Sequence, residues 1–129
     1  MFSGIIEEVG RVMGVTPVKA EAAAQGSHSR VTVAAERTLV GVKPGDSIAV
    51  SGCCLTVVGF DDASFQVELS KESVAKTAPR WAVGSHVNLE RAMLASSRFG
   101  GHIVSGHVEG VGEVVRREVE PGAYRLTVR

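Results

Sequence analysis

The sequence is poor in cysteine and contains no long apolar run. Its two cysteines, Cys53 and Cys54, are adjacent, and neighbouring residues cannot readily meet the torsions of a structural disulfide. We therefore expect two reduced thiols in a cytoplasmic protein. The N-terminus lacks a charged segment followed by a long apolar one, and no uncharged apolar run reaches the ~18 residues of a membrane span. We expect neither a secretion signal nor a membrane-spanning segment.

An excess of positive charge is also missing. Fourteen Lys and Arg balance fourteen Asp and Glu, with no basic run or aromatic-interleaved basic stripe. Electrostatic binding to nucleic acid phosphates requires such a feature, so we exclude nucleic acid as a partner. Neither GxxxxGK[ST], nor GxGxxG opening a helix, nor GxSxG is present, which argues against the corresponding phosphate loops and serine hydrolases.

Metal-ligand spacing is lacking as well. His102 and His107 are five residues apart, so on a strand they point to opposite faces, and neither CxxC nor HxxxH occurs. We expect no metal site. His107 is predicted to be either a strand histidine bonded to nearby backbone or a ligand-facing group. Of Cys53 and Cys54, one should face the core, which leaves at most one thiol for chemistry.

What the sequence does contain is an internal repeat. Residues 105–114 read SGHVEGVGEV and residues 3–12 read SGIIEEVGRV, with six of ten positions identical. Residues 124–128 (YRLTV) follow the second copy much as residues 29–33 (SRVTV) follow the first. We predict a complete unit over residues 1–100, followed over 101–129 by a linker and the opening strands of a truncated second repeat.

Segments rich in β-branched residues predict six short strands, the first of them bent. They cover residues 3–15, 29–35, 47–51, 55–60, 64–69 and 84–91. Ser70 is predicted to cap a short helix that has Glu72 in its first turn and ends before Pro79. Residues 16–27 are expected to form a loop or a frayed helix, and residues 92–99 a short helix or loop.

This pattern predicts an all-β fold: a small closed six-stranded antiparallel barrel with Greek-key-like connections and one or two short helices. A two-sheet sandwich is the alternative. The barrel would carry a concentrated polar set, namely Ser47, Cys54, Thr56, Ser70, Ser73, His102 and His107. These residues leave open whether the barrel binds a small polar heterocycle or is a folding unit with satisfied polar groups.

Five blocks of the sequence resemble the riboflavin synthase family. The opening MFSGIIE is similar to its MF[TS]GI[VI]E, and SGCCLTV at 51–57 to its NGxCLTV. The stretch from Lys71 to Thr77, which begins KES, resembles the family's ETLxxT. VNLERA at 87–92 is identical to the family's VNLERA, and residues 100–110 resemble its GGHxVxGHVDG. Three substitutions depart from these patterns: Ser51 for Asn, Ser105 for Gln and Glu109 for Asp. Family members hold two homologous barrels, so this chain matches the first barrel and the start of the second.

The resemblance implies a dismutation of two 6,7-dimethyl-8-ribityllumazine molecules without cofactor or metal. One molecule gives up a four-carbon unit to the other, which yields riboflavin and 5-amino-6-ribitylaminopyrimidinedione. Holding the two heterocycles face to face would supply much of the rate by proximity. We expect the truncated chain to bind ligand but to be weakly active or inactive alone.

By motif match, catalytic or polar roles are expected for Ser47, Cys54, His102 and His107. The substrate-binding residues implied by the resemblance are Cys54, Leu55, Thr56, Glu68, Leu69, Ser70, Lys71, Glu72, Ser73, Gly106, His107 and Val108, the last three from the second copy's first strand. By the symmetry of the repeat, Gly4, Ile5 and Ile6 would cover the pocket of another barrel.

The resemblance also implies partners. Riboflavin and the lumazine are the expected ligands, and full-length family members form homotrimers with sites between barrels of different subunits. A fragment of this kind could instead pair with itself as a dimer. Two further functions stay open: a non-catalytic lumazine- or flavin-binding module of the lumazine-protein type, and a folding unit without ligand.

Overall fold

We analysed a computed structural model of the chain, which describes residues 1–18 and 27–129. Its strands are β1 (Glu8–Pro17), β2 (Ser27–Ala34), β3 (Ser47–Val50), β4 (Cys53–Phe60), β5 (Ser64–Ser70), β6 (His86–Arg91), β7 (Val114–Glu120) and β8 (Ala123–Val128). One α-helix, α1 (Lys71–Lys76), and one 3-10 turn (Arg37–Leu39) complete the described elements.

The first six strands close into a barrel in the order β1-β2-β5-β4-β3-β6, and every neighbouring pair is antiparallel. Strand β2 lies between β1 and β5, so the chain crosses the barrel end before it forms β3, a connection of the Greek-key kind. This confirms the predicted six-stranded barrel over the sandwich. Closure leaves none of these six strands with an unpaired edge.

Alternation along each strand fills the barrel interior. In β4, Cys53, Leu55 and Val57 are buried, whereas Cys54 is half-buried and Thr56 exposed. The cysteines therefore face opposite sides, as predicted, and both thiols are free. The largest fully buried side chains of the core cluster are Phe65, Ile48, Leu69 and Leu89.

Several predicted boundaries need correction. Strand β1 begins at Glu8, not at residue 3, because the backbone turns at Gly4 (φ +83°) before it reaches the ladder. Residues 92–99, predicted as a short helix or a loop, form a loop with a turn at residues 95 and 96. The 3-10 turn was not predicted. The helix after Ser70 is confirmed, with the Ser70 side chain accepting a hydrogen bond from the Ser73 N–H. Of the loop or helix predicted over 16–27, residues 16 and 17 complete β1, while 19–26 lie outside the described residues.

The second copy of the repeat forms a hairpin of β7 and β8. Residues 105–113 precede it without strand structure, so the expected strand starts late, at Val114. The hairpin repeats a detail of the first copy: the β1–β2 register shifts between Val12 and Gly14, and the β7–β8 register shifts between Val114 and Arg116, each 102 residues later. A bulge at equivalent positions shows that the two copies build the same local structure.

Residues 102–108, which we call the cover segment, lie against the barrel beside the N-terminus. Phe2 and Val104 form an antiparallel bridge, with N–H to O distances of 2.8 and 3.0 Å. Farther along, the Cys54 N–H donates to the Gly106 carbonyl at 2.8 Å. A short backbone ladder at one end and a bond to β4 at the other therefore hold the cover segment in place.

Two carboxylates make stability depend on pH. The Arg91 guanidinium, which donates to Glu7 at 2.7 Å, holds the pKa of Glu7 below its ordinary 4.5. Burial opposes ionisation of Glu8, but hydrogen bonds from Thr38 and from the Glu36 N–H outweigh it and lower the pKa of Glu8. Because both folded-state pKa values lie below the unfolded ones, this stabilisation is present above about pH 4.5 and is lost as pH falls through the lowered values.

We expect the free energy of unfolding, measured by urea denaturation, to fall between neutral pH and about pH 3. Glu8→Gln should flatten that decline because the variant has no carboxylate to protonate at this site. Glu118→Gln, at a half-buried position of the hairpin outside the barrel, should leave the slope near the parent's. An unchanged slope in Glu8→Gln would show that Glu8 does not carry the pH dependence.

Gly106 lies where a side chain does not fit. A Cβ there would lie 2.8 Å from the Cys54 Cβ and 3.0 Å from the Phe2 ring, at a φ of +78°. Gly122 has almost the same φ, +75°, with nothing within 4 Å. Gly122→Ala should therefore cost only the backbone strain of about 1 kcal/mol. Gly106→Ala should lower the free energy of unfolding by about 1–3 kcal/mol more than Gly122→Ala, because of overpacking. Denaturation curves of the two variants measure the difference, and equal losses would contradict the close approach.

Candidate ligand-binding site

A cavity of about 310 Å³ lies between the start of β4, helix α1 and the cover segment. Its volume is at the lower end of the range for small-molecule sites. The residues that line it are Cys53, Cys54, Ser70, Glu72, Ser73, Lys76, Thr77, Gly106, His107 and Val108. Three separate pieces of the chain therefore meet around one small space.

Strand β4 contributes the two cysteines. Burial, and secondarily the neighbouring Cys54, raise the pKa of the Cys53 thiol. Cys53 is therefore a neutral thiol in the core at physiological pH, with an edge at the cavity. Cys54 points outward and is half-buried, so it is the more accessible of the two thiols.

Helix α1 contributes a wall of linked hydroxyl groups. The Ser70 and Ser73 oxygens lie 2.9 Å apart, and the Ser70 oxygen also accepts from the Ser73 N–H at 3.0 Å. The Thr77 hydroxyl donates to the Ser73 carbonyl at 2.6 Å and accepts from the Trp81 indole N–H at 2.8 Å. Because the Thr77 hydrogen is already donated, its oxygen faces a ligand as an acceptor only.

An ion pair stands beside this wall. The Lys76 ammonium lies 2.6 Å from a Glu72 oxygen, one helical turn away. That hydrogen bond lowers the pKa of Glu72 and raises that of Lys76, so both groups are charged at neutral pH. The pair contributes no net charge, which suits an uncharged polar ligand.

The cover segment closes the third side. Val108 packs against the barrel core, Gly106 is buried and His107 is exposed at the cavity. The backbone N–H of His107 donates to the Ser105 hydroxyl at 3.2 Å. His107 was predicted as a strand residue; the structure corrects this, because residues 105–113 turn at Gly106 and pair with no strand there.

A second cavity, of about 650 Å³, lies at another place on the barrel surface. Ser47 lines it together with Ile5, Glu7 and Arg91. Ser47 is the register partner of Thr56 on β4, so the two side chains project from the same side of the sheet.

The structure brings together seven of the sequence-predicted site residues: Cys54, Ser70, Glu72, Ser73, Gly106, His107 and Val108. The others lie elsewhere. Leu55 and Leu69 are in the core, Glu68 pairs with Arg30 at 2.7 Å, and Thr56 and Lys71 are exposed outside the cavity lining. Ser47 and Ile5 line the larger cavity, Gly4 and Ile6 are exposed, and the exposed His102 donates its N–H to the Ser3 carbonyl at 2.8 Å.

Sequence reasoning missed three lining residues, Cys53, Lys76 and Thr77. Helical spacing could have found Lys76, since it lies four residues after Glu72 and hence on the same side. Thr77 ends the block that resembles ETLxxT, and that threonine was a usable signal.

Within residues 1–18 and 27–129, no group of three or more His, Cys, Asp or Glu residues is placed to hold a metal ion. No helix in this part of the chain has the length and apolar character to cross a membrane.

Comparison with known proteins identifies relatives of the whole chain. The chain is 45% identical over 124 residues to a riboflavin synthase of Bacillus amyloliquefaciens, covering 95% of this chain and 54% of the relative. A riboflavin synthase of Saccharomyces cerevisiae is 42% identical over 122 residues, covering 93% and 51% respectively. The chain thus spans about half the length of the curated relatives it matches, and it is a homologue of riboflavin synthases.

Solved structures share the fold. LumP complexed with 6,7-dimethyl-8-(1'-D-ribityl)lumazine has a TM-score of 0.78 at 23% identity, over 99% of this chain and 68% of that one. LumP complexed with riboflavin has a TM-score of 0.73 at 26% identity, over 93% and 62%. The family described as "Lumazine binding domain" matches residues 3–92, which is most of the chain and contains the whole barrel. The chain belongs to the lumazine binding domain family.

Proposed function

We propose that this chain is the first barrel of a riboflavin synthase and that it binds 6,7-dimethyl-8-ribityllumazine in the cavity beside Cys54. The observation that carries the proposal is the junction of β4, α1 and the cover segment around about 310 Å³, in a chain homologous to riboflavin synthases. The oriented hydroxyl groups of Ser73 and Thr77 suit the donors and acceptors of a pyrimidine ring, because buried polar groups need partners.

In the proposed reaction, two lumazines meet and one transfers a four-carbon unit to the other. The products are riboflavin and 5-amino-6-ribitylaminopyrimidinedione. The cavity would hold and orient one lumazine, and the second would come from the cavity of another barrel. Most of the rate would then arise from proximity, so the 129-residue chain should turn over slowly or not at all by itself.

We assign the polar groups at the cavity to proton and addition steps. Cys54 and His107 both line the cavity, and we expect both to touch a bound ring. Ser47 and His102 stay proposed catalytic residues on motif alone, because neither lines this cavity.

We further propose that residues 1–100 form the first lumazine-binding unit and residues 101–129 the linker and opening strands of a second. The equivalent bulges of the two hairpins support this division. The exposure of two hairpin valines also supports this division. Val114 and Val128 are 56% and 59% exposed, whereas their counterparts Val12 and Val33 in the first copy are fully buried. The hairpin thus carries core-type residues on an open face.

A second candidate function is non-catalytic binding of a lumazine or flavin. The fold shared with LumP, solved with riboflavin and with the lumazine, favours it. The two functions differ in turnover: only a synthase should form riboflavin from the lumazine when a complementary barrel is supplied.

The expected result for binding is that the chain quenches the fluorescence of riboflavin or the lumazine at micromolar protein. Thr77→Val should weaken binding about tenfold, the effect of losing one hydrogen bond to a buried ring. Thr127→Val, on the exposed face of β8, is the matched control and should bind like the parent. Absence of quenching at high micromolar protein would rule out ligand binding.

We also expect the chain to form a dimer in which Gly4, Ile5 and Ile6 cover the partner's pocket. Ile5 and Ile6 are 53% and 45% exposed although apolar, as an interface would require. Sedimentation velocity should show a dimer that Ile6→Glu disrupts, whereas Val83→Glu, at another exposed apolar site, should not. A monomer both with and without ligand would contradict this pairing.

A further inference from the structure

Glu90 is a buried carboxylate outside the proposed ligand site. Glu90 is only 5% exposed. Because its neighbour Leu89 fills the barrel interior, Glu90 must face outward. One oxygen accepts from the Ser3 N–H at 2.5 Å and from the Ser3 hydroxyl at 2.7 Å. The Gly4 N–H lies 3.0 and 3.2 Å from its two oxygens. The carboxylate therefore clamps the N-terminal segment onto β6.

The clamp and the cavity are connected by a row of paired residues across three strands. Glu90 pairs with Ala49 across β6 and β3, and Ala49 pairs with Cys54 across β3 and β4. Paired residues in antiparallel strands point to the same side of the sheet. Glu90, Ala49 and Cys54 therefore form one row on the outside of the barrel, with the clamp at one end and the cavity at the other.

The N-terminal segment and the cover segment lie over this row. Phe2 precedes the clamped Ser3 and forms the backbone bridge to Val104. Its ring also approaches Gly106, where a Cβ would come within 3.0 Å of it and 2.8 Å of the Cys54 Cβ. A continuous series of bonds and contacts therefore connects Glu90, through Ser3 and Phe2, to Gly106 at the cavity.

The two copies of the repeat are held differently. Gly4 and Gly106 share a positive φ (+83° and +78°), and in each turn the preceding serine hydroxyl accepts the N–H two residues on, at 3.2 Å. The first turn is fixed by the charged clamp of Glu90. The second is fixed by the bond from the Cys54 N–H and by the bridge to the first segment.

We propose that Glu90 is a positioning residue for the ligand cavity: by clamping Ser3 and Gly4 it holds Phe2, and through Phe2 it seats Gly106 and His107 over Cys54. The clamp is made of charge-assisted hydrogen bonds, which are stronger than neutral ones. Its role in ligand binding rests on the proposed function, whereas its effect on the cover segment does not.

Alkylation of the two cysteines by iodoacetamide tests this without any ligand. Cys54 lies under the cover segment, whereas Cys53 is in the core. In Glu90→Ala, the Cys54 rate should rise tenfold or more, because the variant removes every hydrogen bond of the clamp and the loss of even one bond to a charged group changes the open population by about tenfold. The Cys53 rate should stay low because the barrel remains folded. Tandem mass spectrometry of the labelled peptide separates the two sites.

Two further variants keep the test decisive if Glu90→Ala folds poorly. Glu90→Gln keeps the shape but loses the charge and should raise the Cys54 rate by a smaller factor. Ser3→Ala removes one donor of the clamp and should act in the same direction, with the double variant Ser3→Ala/Glu90→Ala no faster than Glu90→Ala alone. Glu118→Ala, which removes an ion-paired carboxylate from the hairpin, is the control for loss of charge and should match the parent.

An unchanged Cys54 rate in folded Glu90→Gln and Ser3→Ala would overturn the proposal. A parallel rise at Cys53 and Cys54 that matches the loss of global stability in urea denaturation would do the same, because it would report global opening and reduce Glu90 to a structural role. If the parent chain shows no quenching of riboflavin yet Cys54 responds as expected, the proposed function fails while the positioning role of Glu90 stands.

Discussion

Closure of the barrel between β1 and β6 is the constraint on which the other features depend. Four register pairs, from Glu8–Leu89 to Arg11–His86, join the first and last barrel strands. The closure brings the N-terminus next to β6, so that Glu7 meets Arg91 and Ser3 meets Glu90. It also fixes which side chains point inward, and with that the outward row of Glu90, Ala49 and Cys54.

The sequence predicted the barrel because its strands alternate and their β-branched content is high. The opposite orientations of Cys53 and Cys54 follow from a period of two, which no tertiary contact alters. The helix after Ser70 was predictable for a similar reason, since its cap is a contact between residues three apart. Features set by neighbours in sequence could be read from sequence.

The site itself was only partly predictable. Which residues share a cavity depends on the path of the cover segment, and that path is fixed by contacts between residues distant in sequence, such as Phe2 with Val104 and Cys54 with Gly106. The motif match wrongly assigned Gly106 to a strand, because the backbone there forms a turn packed against β4. The clamp by Glu90 gave no local signal at all: its partners lie 86 and 87 residues away.

The bridge between Phe2 and Val104 has a symmetry that bears on assembly. The two residues are 102 positions apart, the same offset that relates Ser3 to Ser105 and Val12 to Val114, so equivalent residues of the two copies pair with each other. The contact resembles an isologous interface, because the backbone edge around Phe2 pairs with the equivalent edge of the second copy. In the second copy the turn places its Gly106 carbonyl on the Cys54 N–H of a barrel. The first copy has the same turn geometry at Gly4, with an exposed Ile5 and Ile6 beside it. The first copy therefore has the turn geometry that the proposed covering of another barrel's cavity requires, and Glu90 clamps that turn through Ser3 and Gly4.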